Sequence, residues 1–443
     1  MKFKKYFMYP VAYLGISVLM QSLVSWYSYF YAPPEDNPYN LRPLTPIALV
    51  GIAMIIGRVV DAVSDPLVAY WSDNSRSRLG RRKPFLIFGA FPLGLSYVLL
   101  WFPPHNFESQ INFIYLTVIL SFYFIFFTIY VAPYLALLPE ISKEPDERAA
   151  ISTYQSVFNT LGLLIQGIAC PVIIAKYGIR AMGIILGLVS LATLVMPFSI
   201  REEKVRRLEK QFGFRESFIM TVRNRHFIYY ESSVLFYWFA INTLTIALPY
   251  MASVHMKLDG FETAILQGLL FVTAIAISPL MLMWIRRYGK KKVYNISMTA
   301  LMLLLFVLYF AGKPYLFFNQ KWFHFLIVGL AGMPLAAVFI IPNAIIADIT
   351  DIDEMTGGQR REAMFFGVQG FFIKAVIGLS SLFTTGVLFK YLGYNPGDSL
   401  GISMAPVVAG VCILLGLYIF KNYTVEEHEL KQRYTEYVMR QRT

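Results

Sequence analysis

The chain of 443 residues carries a formal net charge of +12, and its composition excludes an ordinary soluble domain. Hydrophobic residues make up 57% of the sequence and charged residues only 15%, whereas soluble domains carry about 25% charged residues. Continuously apolar runs of about 20 residues, long enough to cross a bilayer as helices, recur along the whole chain. We therefore predict an all-α membrane protein with many crossings.

The distribution of the basic residues excludes nucleic acid as a partner. These residues cluster in loops at alternate ends of the apolar runs, as is typical of cytoplasmic loops in membrane proteins. Both cysteines, Cys170 and Cys412, lie within apolar runs, which excludes a disulfide framework. The N-terminal apolar run continues past Tyr31 without a small-residue cleavage site, so we expect it to be retained as the first span.

Twelve spans are predicted, and the charge of their connections indicates their orientation. The even-numbered connections carry basic clusters such as residues 76–83 and 286–292, whereas the first connection carries Arg42 alone. Basic loops stay on the cytoplasmic side, so both termini are predicted to be cytoplasmic, in the plasma (inner) membrane. The predicted spans are 6–32, 45–72, 84–103, 110–138, 149–175, 179–199, 227–254, 262–285, 292–312, 321–348, 362–390 and 399–421.

These spans are predicted to form two pseudo-symmetric six-helix bundles. Residues 1–200 make up the N-terminal bundle and residues 226–421 the C-terminal bundle. Residues 201–225 are the only long polar stretch between spans, and apolar residues recur in them at helical spacing, which predicts a cytoplasmic linker helix. Residues 422–443 follow as a cytoplasmic tail.

The second predicted span contains two aspartates, Asp61 and Asp65. Their spacing of four residues puts both on one helix face, about 6 Å apart along the axis. A charged side chain at membrane depth costs about 2.5–3.5 kcal/mol on insertion scales and usually marks an ion or substrate pathway. Arg58 lies three residues before Asp61, within reach on the same face. The pattern predicts a cation-binding site.

An internal repeat supports the two-bundle arrangement. In the second span Pro66 precedes Trp71 by five residues, and a basic loop follows. In the eighth span Pro279 precedes Trp284 by the same distance, again before a basic loop. The repeat indicates a duplicated scaffold.

The two halves differ in charge at the repeated position. Asp61 and Asp65 correspond to Ala274 and Ser278 of the eighth span. The predicted charged site therefore belongs to the N-terminal half alone.

Two segments resemble a known family signature. Residues 58–67 read RVVDAVSDPL and residues 73–84 read DNSRSRLGRRKP. Together they resemble the glycoside–pentoside–hexuronide:cation symporters (melibiose permease-like) of the major facilitator superfamily, with further matches at 134–140, 147–149 and 348–367. The same block also resembles the sodium-dependent lysolipid transporters of that superfamily.

The resemblance implies the major facilitator fold and a role for several residues. Asp61 and Asp65 would be the cation-site carboxylates, Arg58 a nearby charge partner, and Lys374 the basic residue that faces them. Salt bridges in the cytoplasmic loops would brace one conformation. The residues of this expected cytoplasmic gate are Asp73, Arg81, Arg82, Asp351 and Arg361.

The sequence departs from the sugar-transporting members in two spans. The first span lacks their sugar-contacting aspartate, and Gln21 is its main polar residue. In the fourth span Val131 and Leu135 stand where those members have an aspartate and a tryptophan. These apolar replacements favour an amphiphilic substrate over a sugar to a small degree.

Several alternatives stay open for the charged residues. Asp61 and Asp65 could form a structural ion-pair network with Arg58 and Lys374 instead of an ion site. If an ion binds, Na+ suits a set of oxygen ligands, whereas H+ suits two close carboxylates that resist double ionisation. The basic loops could serve only as topology determinants.

Candidate substrate contacts are polar and aromatic residues that would line a central cavity. Such side chains in spans also hydrogen-bond neighbouring helices without touching substrate, so both roles remain open. The candidates are Gln21, Tyr27, Asn159, Trp238, Asn242, Asn343 and Gln369.

We predict a secondary symporter, driven by Na+ or H+, that moves a small polar solute and most specifically a sugar or glycoside. It would be a monomer in the lipid bilayer, without catalytic activity, cofactor, nucleic-acid partner or metal other than a possible Na+ at Asp61 and Asp65. The main alternative is a cation-dependent transporter of lysolipid or another amphiphile. A membrane enzyme, for which no nucleophile or metal motif is found, and a sensor that binds without transport are the others.

Overall fold

The computed structural model describes residues 4–75, 77–142, 145–200, 214–357 and 362–423. The long regular elements in these ranges are all α-helices, which confirms the predicted all-α class. In chain order they are α1 (Ala12–Tyr31), α2 (Ile47–Asn74), α3 (Lys83–Leu99), α4 (Gln110–Ile141), α5 (Pro145–Tyr177), α6 (Ile179–Leu194), α7 (Phe214–Arg223), α8 (Arg225–Tyr250), α9 (Gly260–Tyr288), α10 (Lys290–Leu308), α11 (Lys321–Gly357), α12 (Glu362–Phe383), α13 (Lys390–Leu392) and α14 (Leu400–Phe420).

The helices account for the predicted crossings. Within the described ranges, eleven are long and apolar enough to span a membrane, judged by length and composition. The apolar helix α3 has 17 residues and occupies the third predicted span. Of the predicted linker, residues Phe214–Arg223 form α7, whereas residues 201–213 lie outside the described part of the chain, as does the tail from 424 onward.

Glycines mark the sharp turns between consecutive helices. Gly178 separates α5 from α6 with a φ of 82°, and Gly289 separates α9 from α10 with the same value. Residues with a side chain rarely adopt such a backbone conformation, whereas glycine does so readily. Gly80, just before α3, also has a positive φ, of 113°. Gly80 and Gly289 each directly precede basic residues of these loops.

The chain divides into two compact units. The first contains residues 1–207, 245–271 and 381–402. The second contains residues 208–244, 272–380 and 403–443. The predicted domain boundaries at 200 and 226 remain a prediction.

Small residues allow the helices of the first unit to pack closely. Gly57 of α2 lies against the ring of Phe124 of α4, and an added Cβ would come within 2.8 Å of that ring. Gly162 of α5 meets Ser17 of α1, where an added Cβ would come within 2.7 Å of the serine Cβ. Close backbone approach through small residues is the usual mode of helix packing in membranes. These contacts fix α2 against α4.

Hydrogen bonds close the first unit on the side opposite the basic loops. The Tyr250 hydroxyl donates to the Ala32 carbonyl at 2.9 Å and lies 3.2 Å from the Ser28 hydroxyl. The Asn395 side chain accepts from the Glu35 backbone N–H at 3.0 Å and donates to its carboxylate at 3.3 Å. Residues that are more than 200 positions apart in the sequence therefore meet at this surface.

Candidate functional site

The centre of the candidate site is the side chain of Thr128 between two aspartates. Its hydroxyl oxygen lies 2.8 Å from Oδ1 of Asp61 and 3.0 Å from Oδ1 of Asp65. The carboxylates come from α2, and the hydroxyl comes from α4. Asp61 has no solvent exposure and Thr128 is 2% exposed. The predicted pair of aspartates therefore faces a neighbouring helix inside the protein.

The three oxygen atoms have fewer hydrogens than their contacts require. A threonine hydroxyl carries one hydrogen to donate and two lone pairs. It can donate to Asp61 or to Asp65, but not to both at once. A proton on a carboxylate, or a positive ion between the atoms, would make the remaining oxygen–oxygen contact favourable. The arrangement is therefore suited to hold a cation.

Arg58 places a positive charge on one side of this cluster. Its Nη1 donates to Oδ2 of Asp61 at 3.4 Å, and its guanidinium carbon lies 4.4 Å from the centre of the Phe124 ring. Its Nη2 is 3.5 Å from the sulfur of Met20. The predicted proximity of Arg58 to Asp61 is present in the structure, and the guanidinium is buried.

Three polar atoms beside Arg58 are buried without a hydrogen-bond partner among the described residues. They are Nε of Arg58 and the hydroxyl groups of Tyr27 and Tyr123. The two phenol groups are close enough to Arg58 to interact with it electrostatically. Buried polar groups are nearly always hydrogen-bonded, and exceptions often mark a functional site. Tyr27, a predicted substrate contact, thus belongs to a cluster next to the candidate cation site.

Local sequence explains why α2 presents these groups. Asp61 and Asp65 are one helical turn apart and point in the same direction. Pro66 within α2 has no N–H, so it cannot donate to the carbonyl of Ala62, one turn earlier. The Ser64 hydroxyl instead donates to the carbonyl of Asp61 at 2.9 Å. The turn around the aspartates therefore contains a carbonyl oxygen that lacks its helical partner, in addition to the carboxylates.

Lys374 lies in a different compact unit from the aspartates. It is half-buried in α12, within the second unit. The prediction that it faces Asp61 and Asp65 remains a prediction.

The other candidate substrate contacts in the first unit have simple surroundings. Gln21 and Asn159 are both half-buried, and the backbone carbonyl of Asn159 accepts from the Ser17 hydroxyl at 3.0 Å. Asn159 thus takes part in the packing of α1 on α5. Substrate contact by either side chain remains a prediction.

In the second unit, two of the candidates bridge α8 and α12. The amide of Asn242 donates to the Ser380 hydroxyl at 2.8 Å and to the Ile377 carbonyl at 3.2 Å. The amide of Gln369 donates to Oε2 of Glu231 at 3.2 Å. Both side chains therefore have structural bonds, as the alternative interpretation expected. Trp238 is half-buried, and the side chain of Asn343 lies outside the described residues.

Two residues of the expected gate pair with Glu140, which the sequence analysis did not include in the gate. Arg81 and Arg82 both form ion pairs with Glu140, at the end of α4. Arg82 lies 3.1 Å from Oε1 of Glu140 through its Nε, and its Nη1 donates to the Ser72 hydroxyl. This cluster ties the loop before α3 to the ends of α2 and α4.

In the second unit, a similar bond joins repeat-related elements. Lys290, which follows Gly289, lies 2.7 Å from both carboxylate oxygens of Asp348 in α11. Asp351 is half-buried in the same helix. The side chain of Asp73 and all of Arg361 lie outside the described residues, so their predicted gate role remains a prediction.

Sequence reasoning missed three residues that the structure places at these sites. Thr128 and Tyr123 are polar residues within a long apolar run, and no spacing connects them to aspartates about 60 residues earlier. Glu231 lies six residues into α8, inside the predicted span 227–254, and is only 3% exposed, but the sequence analysis did not single it out. A search for carboxylates inside predicted spans could have found Glu231.

Comparison with known proteins gives matches along nearly the whole chain. A family model described as MFS/sugar transport protein matches residues 8–424. The sodium-dependent lysophosphatidylcholine symporter 1 of Gallus gallus is 23% identical over 435 residues, which cover 86% of this chain and 80% of that protein. The isoprimeverose transporter of Lactiplantibacillus pentosus is 23% identical over 367 residues, which cover 78% of this chain and 73% of that protein.

Solved structures with a similar fold also exist. A crystal structure of a variant of the nucleoside transporter NupG superposes with a TM-score of 0.66 and 12% sequence identity. The superposition covers 95% of this chain and all of that one (100%). At this identity the likeness concerns the fold alone.

Proposed function

The chain belongs to the MFS/sugar transport protein family, and from this premise we propose that it is a symporter coupled to Na+ or H+ that moves a sugar or glycoside. The predicted major facilitator fold is confirmed. The chain is an integral membrane protein, and we place it in the plasma membrane with both termini cytoplasmic. Its proposed work is transport by alternating access, without a catalytic step.

The observation that carries this proposal is the contact of Thr128 with both aspartates. One hydroxyl hydrogen serves two carboxylate contacts, so a second positive species completes the cluster. Two carboxylates held close together inside the protein are costly to keep charged, and a bound cation lowers that cost. Na+, as a hard cation, would take oxygen ligands from Asp61, Asp65 and Thr128, by analogy with other hard cations. A proton would bind one of the carboxylates instead.

The unpartnered polar atoms next to this cluster support a polar solute. The hydroxyl groups of Tyr27 and Tyr123 and Nε of Arg58 can each hydrogen-bond a solute hydroxyl. Cation binding at Asp61 would weaken the hold of Asp61 on Arg58, because the carboxylate charge is then shared. Arg58 would become more available to the solute. By linkage, the solute would in turn raise the affinity for the cation by the same factor.

The experiment is uptake by proteoliposomes under imposed ion gradients. Purified protein would be tested with radiolabelled isoprimeverose and melibiose under an inward Na+ gradient, an inward H+ gradient, and neither. We expect sugar accumulation that depends on one of the gradients. Accumulation that is equal with and without gradients would contradict coupling, and binding without any flux would indicate a sensor.

Transport of lysolipid or another amphiphile is the second candidate. It is favoured by the apolar residues Val131 and Leu135 of α4, of which Leu135 is 46% exposed. An amphiphile needs an apolar surface for its acyl chain, and a relative is named for lysophosphatidylcholine. Lysophosphatidylcholine would be tested beside the sugars in the same liposomes. Gradient-driven uptake of that lipid, with no sugar uptake, would replace the first candidate by the second.

A further inference from the structure

A buried carboxylate in the second unit has no role in the function proposed above. Glu231 of α8 is only 3% exposed. It lies six residues after the first residue of the helix, about 9 Å along the axis from the helix start. Oε2 accepts a hydrogen bond from the Gln369 amide at 3.2 Å. Oε1 is buried and has no hydrogen-bond partner among the described residues.

The charges around Glu231 do not neutralise it. Within the described ranges, no lysine, arginine or histidine forms an ion pair with this carboxylate. Its electrostatic neighbour on the same helix is Tyr230, whose hydroxyl donates to the Pro342 carbonyl at 3.0 Å. Titratable or charged groups on the elements that pack around α8 are Tyr294 of α10, Asp348 and Asp353 of α11, Lys374 of α12, Cys412 of α14 and Tyr423 beyond it.

The two aspartates among these groups have other partners. Asp348 is paired with Lys290 at 2.7 Å, and the carboxylate of Asp353 accepts from the Asn224 amide at 3.4 Å. The one described donor to Glu231 is therefore a neutral amide. A buried carboxylate with a single neutral donor is poorly stabilised in its charged form, and such groups take up a proton instead.

The first unit shows the same arrangement without a carboxylate. There the Tyr9 hydroxyl donates to the Tyr134 carbonyl at 2.8 Å, as Tyr230 does to Pro342 in the second unit. Gln155 donates to the Tyr134 hydroxyl at 3.0 Å. Gln155 and Gln369 occupy corresponding places in the repeat, since each lies six residues after an alanine that follows a charged residue. The carboxylate is thus an addition to a bond network that is complete without it.

We propose that Glu231 is a proton-binding site, separate from the cation site at Asp61, Asp65 and Thr128. A hydronium ion transfers its proton to Oε1, which forms the O–H bond of a neutral carboxylic acid and leaves a water molecule. Gln369 holds the other oxygen and so fixes the orientation of the group. The chain then binds ions at two places, and pH acts on transport even when Na+ is the ion bound on α2.

Infrared spectroscopy of the purified full-length protein in lipid nanodiscs tests this directly and needs no substrate. Spectra would be recorded between about pH 5 and pH 9, the range in which buried glutamates titrate. We expect a C=O band of a protonated carboxyl group that disappears as the pH rises. The band should be missing in Glu231→Gln and retained in Asp61→Asn, which removes a buried carboxylate of the first unit.

Two further variants keep the test decisive if Glu231→Gln fails to fold. Glu231→Asp should move the frequency of the band, and Gln369→Leu should change the pH midpoint of its titration because it removes the donor to Oε2. Gln155→Leu, the matched change in the first unit, should leave the band unaltered. A band that is identical in wild type and Glu231→Gln, or in wild type, Glu231→Asp and Gln369→Leu, would overturn the proposal. Either result leaves the cation site at Asp61 untouched.

Discussion

The second helix of each half, α2 in the first and α9 in the second, shows how duplication and function separate in this chain. In α2, Asp61 and Asp65 reach across to Thr128 of α4. At the matching places in α9, the Ser278 hydroxyl donates to the Ala274 carbonyl of its own helix at 2.7 Å. The repeated proline, Pro66 in α2 and Pro279 in α9, lies inside both helices. The scaffold is therefore shared, whereas the polar contact between helices belongs to one half.

The fifth helix of each half, α5 in the first and α12 in the second, shows the opposite distribution. In the first unit, Tyr134 and Gln155 are joined by a neutral hydrogen bond. In the second unit, the matching glutamine binds the buried carboxylate of Glu231. Each half thus has a buried acid at one of two repeated places. Ionisable groups inside membranes are costly to maintain, so their unequal placement points to function and not to folding.

Replacing Thr128 should have the largest effect among the changes that test this comparison. Thr128→Val keeps the shape and removes the hydroxyl that both aspartates contact. We expect apparent affinity for the coupling ion to fall about 10–100-fold, as for the loss of supporting groups at ion sites. Thr128→Ser, which keeps the hydroxyl, and Ser278→Ala, at the repeated place in α9, should stay near wild type. The apparent ion affinity of all three variants is measured from the dependence of sugar uptake on ion concentration.

Separating α2 from α4 should weaken the same site indirectly. In Gly57→Ala the new Cβ would come within 2.8 Å of the Phe124 ring, and that ring cannot swing away without losing Arg58. Overpacking of this kind costs about 1–3 kcal/mol. We expect a lower melting temperature and weaker ion dependence. Gly370→Ala, whose Cβ would have no neighbour within 4 Å, should change neither, and equal effects of both changes would contradict the packing argument.

The neutral network of the first unit should matter for stability alone. Gln155→Leu removes the donor to the buried Tyr134 hydroxyl, which still donates to the Tyr9 carbonyl. The loss of one such hydrogen bond costs about 0.5–1.5 kcal/mol. Thermal unfolding should show this modest loss, and the pH dependence of uptake should remain that of wild type. A changed pH dependence would mean that the neutral network of the first unit also takes part in proton binding.

The smallest effect is expected from Glu147, outside the membrane-spanning segments. A hydrogen bond from Ser142, with a further one from Lys5, lowers the pKa of Glu147 below its ordinary value of 4.5. A lowered carboxyl pKa stabilises the folded protein above that value, and the contribution is lost as the pH falls through the folded pKa. Glu147→Gln should therefore melt slightly earlier than wild type at pH 7. The melting temperatures of wild type and Glu147→Gln should become equal in acid. A difference that persists in acid would contradict the lowered pKa of Glu147.

The sequence predicted the helices and one side of the cation site. The length of the apolar runs predicted the spans to within a few residues, because the hydrocarbon thickness sets the helix length. The predicted span 45–72, for example, corresponds to the observed helix Ile47–Asn74. The four-residue spacing of Asp61 and Asp65 placed both on one face. Thr128 could not be found in this way, because which turn of α4 meets α2 depends on packing, here on Gly57 and Phe124. Local periodicity carries no such information.

The predicted role of polar side chains was the least determined by sequence. Asn242 and Gln369 were considered as substrate contacts, and each has a hydrogen bond to a neighbouring helix. A polar residue inside a span can serve either purpose, and its type and spacing are the same in both cases. Tyr27 differs because its buried hydroxyl has no such bond among the described residues.

The central claim is that the coupling ion binds where Asp61 and Asp65 meet Thr128. The most direct measurement is sugar accumulation by proteoliposomes that contain Asp61→Asn, beside wild type and Ser278→Ala, with whichever panel sugar wild type accumulates. We predict that Asp61→Asn loses accumulation under both Na+ and H+ gradients, while Ser278→Ala accumulates as wild type does. Accumulation by Asp61→Asn at the wild-type level under either gradient would contradict the claim.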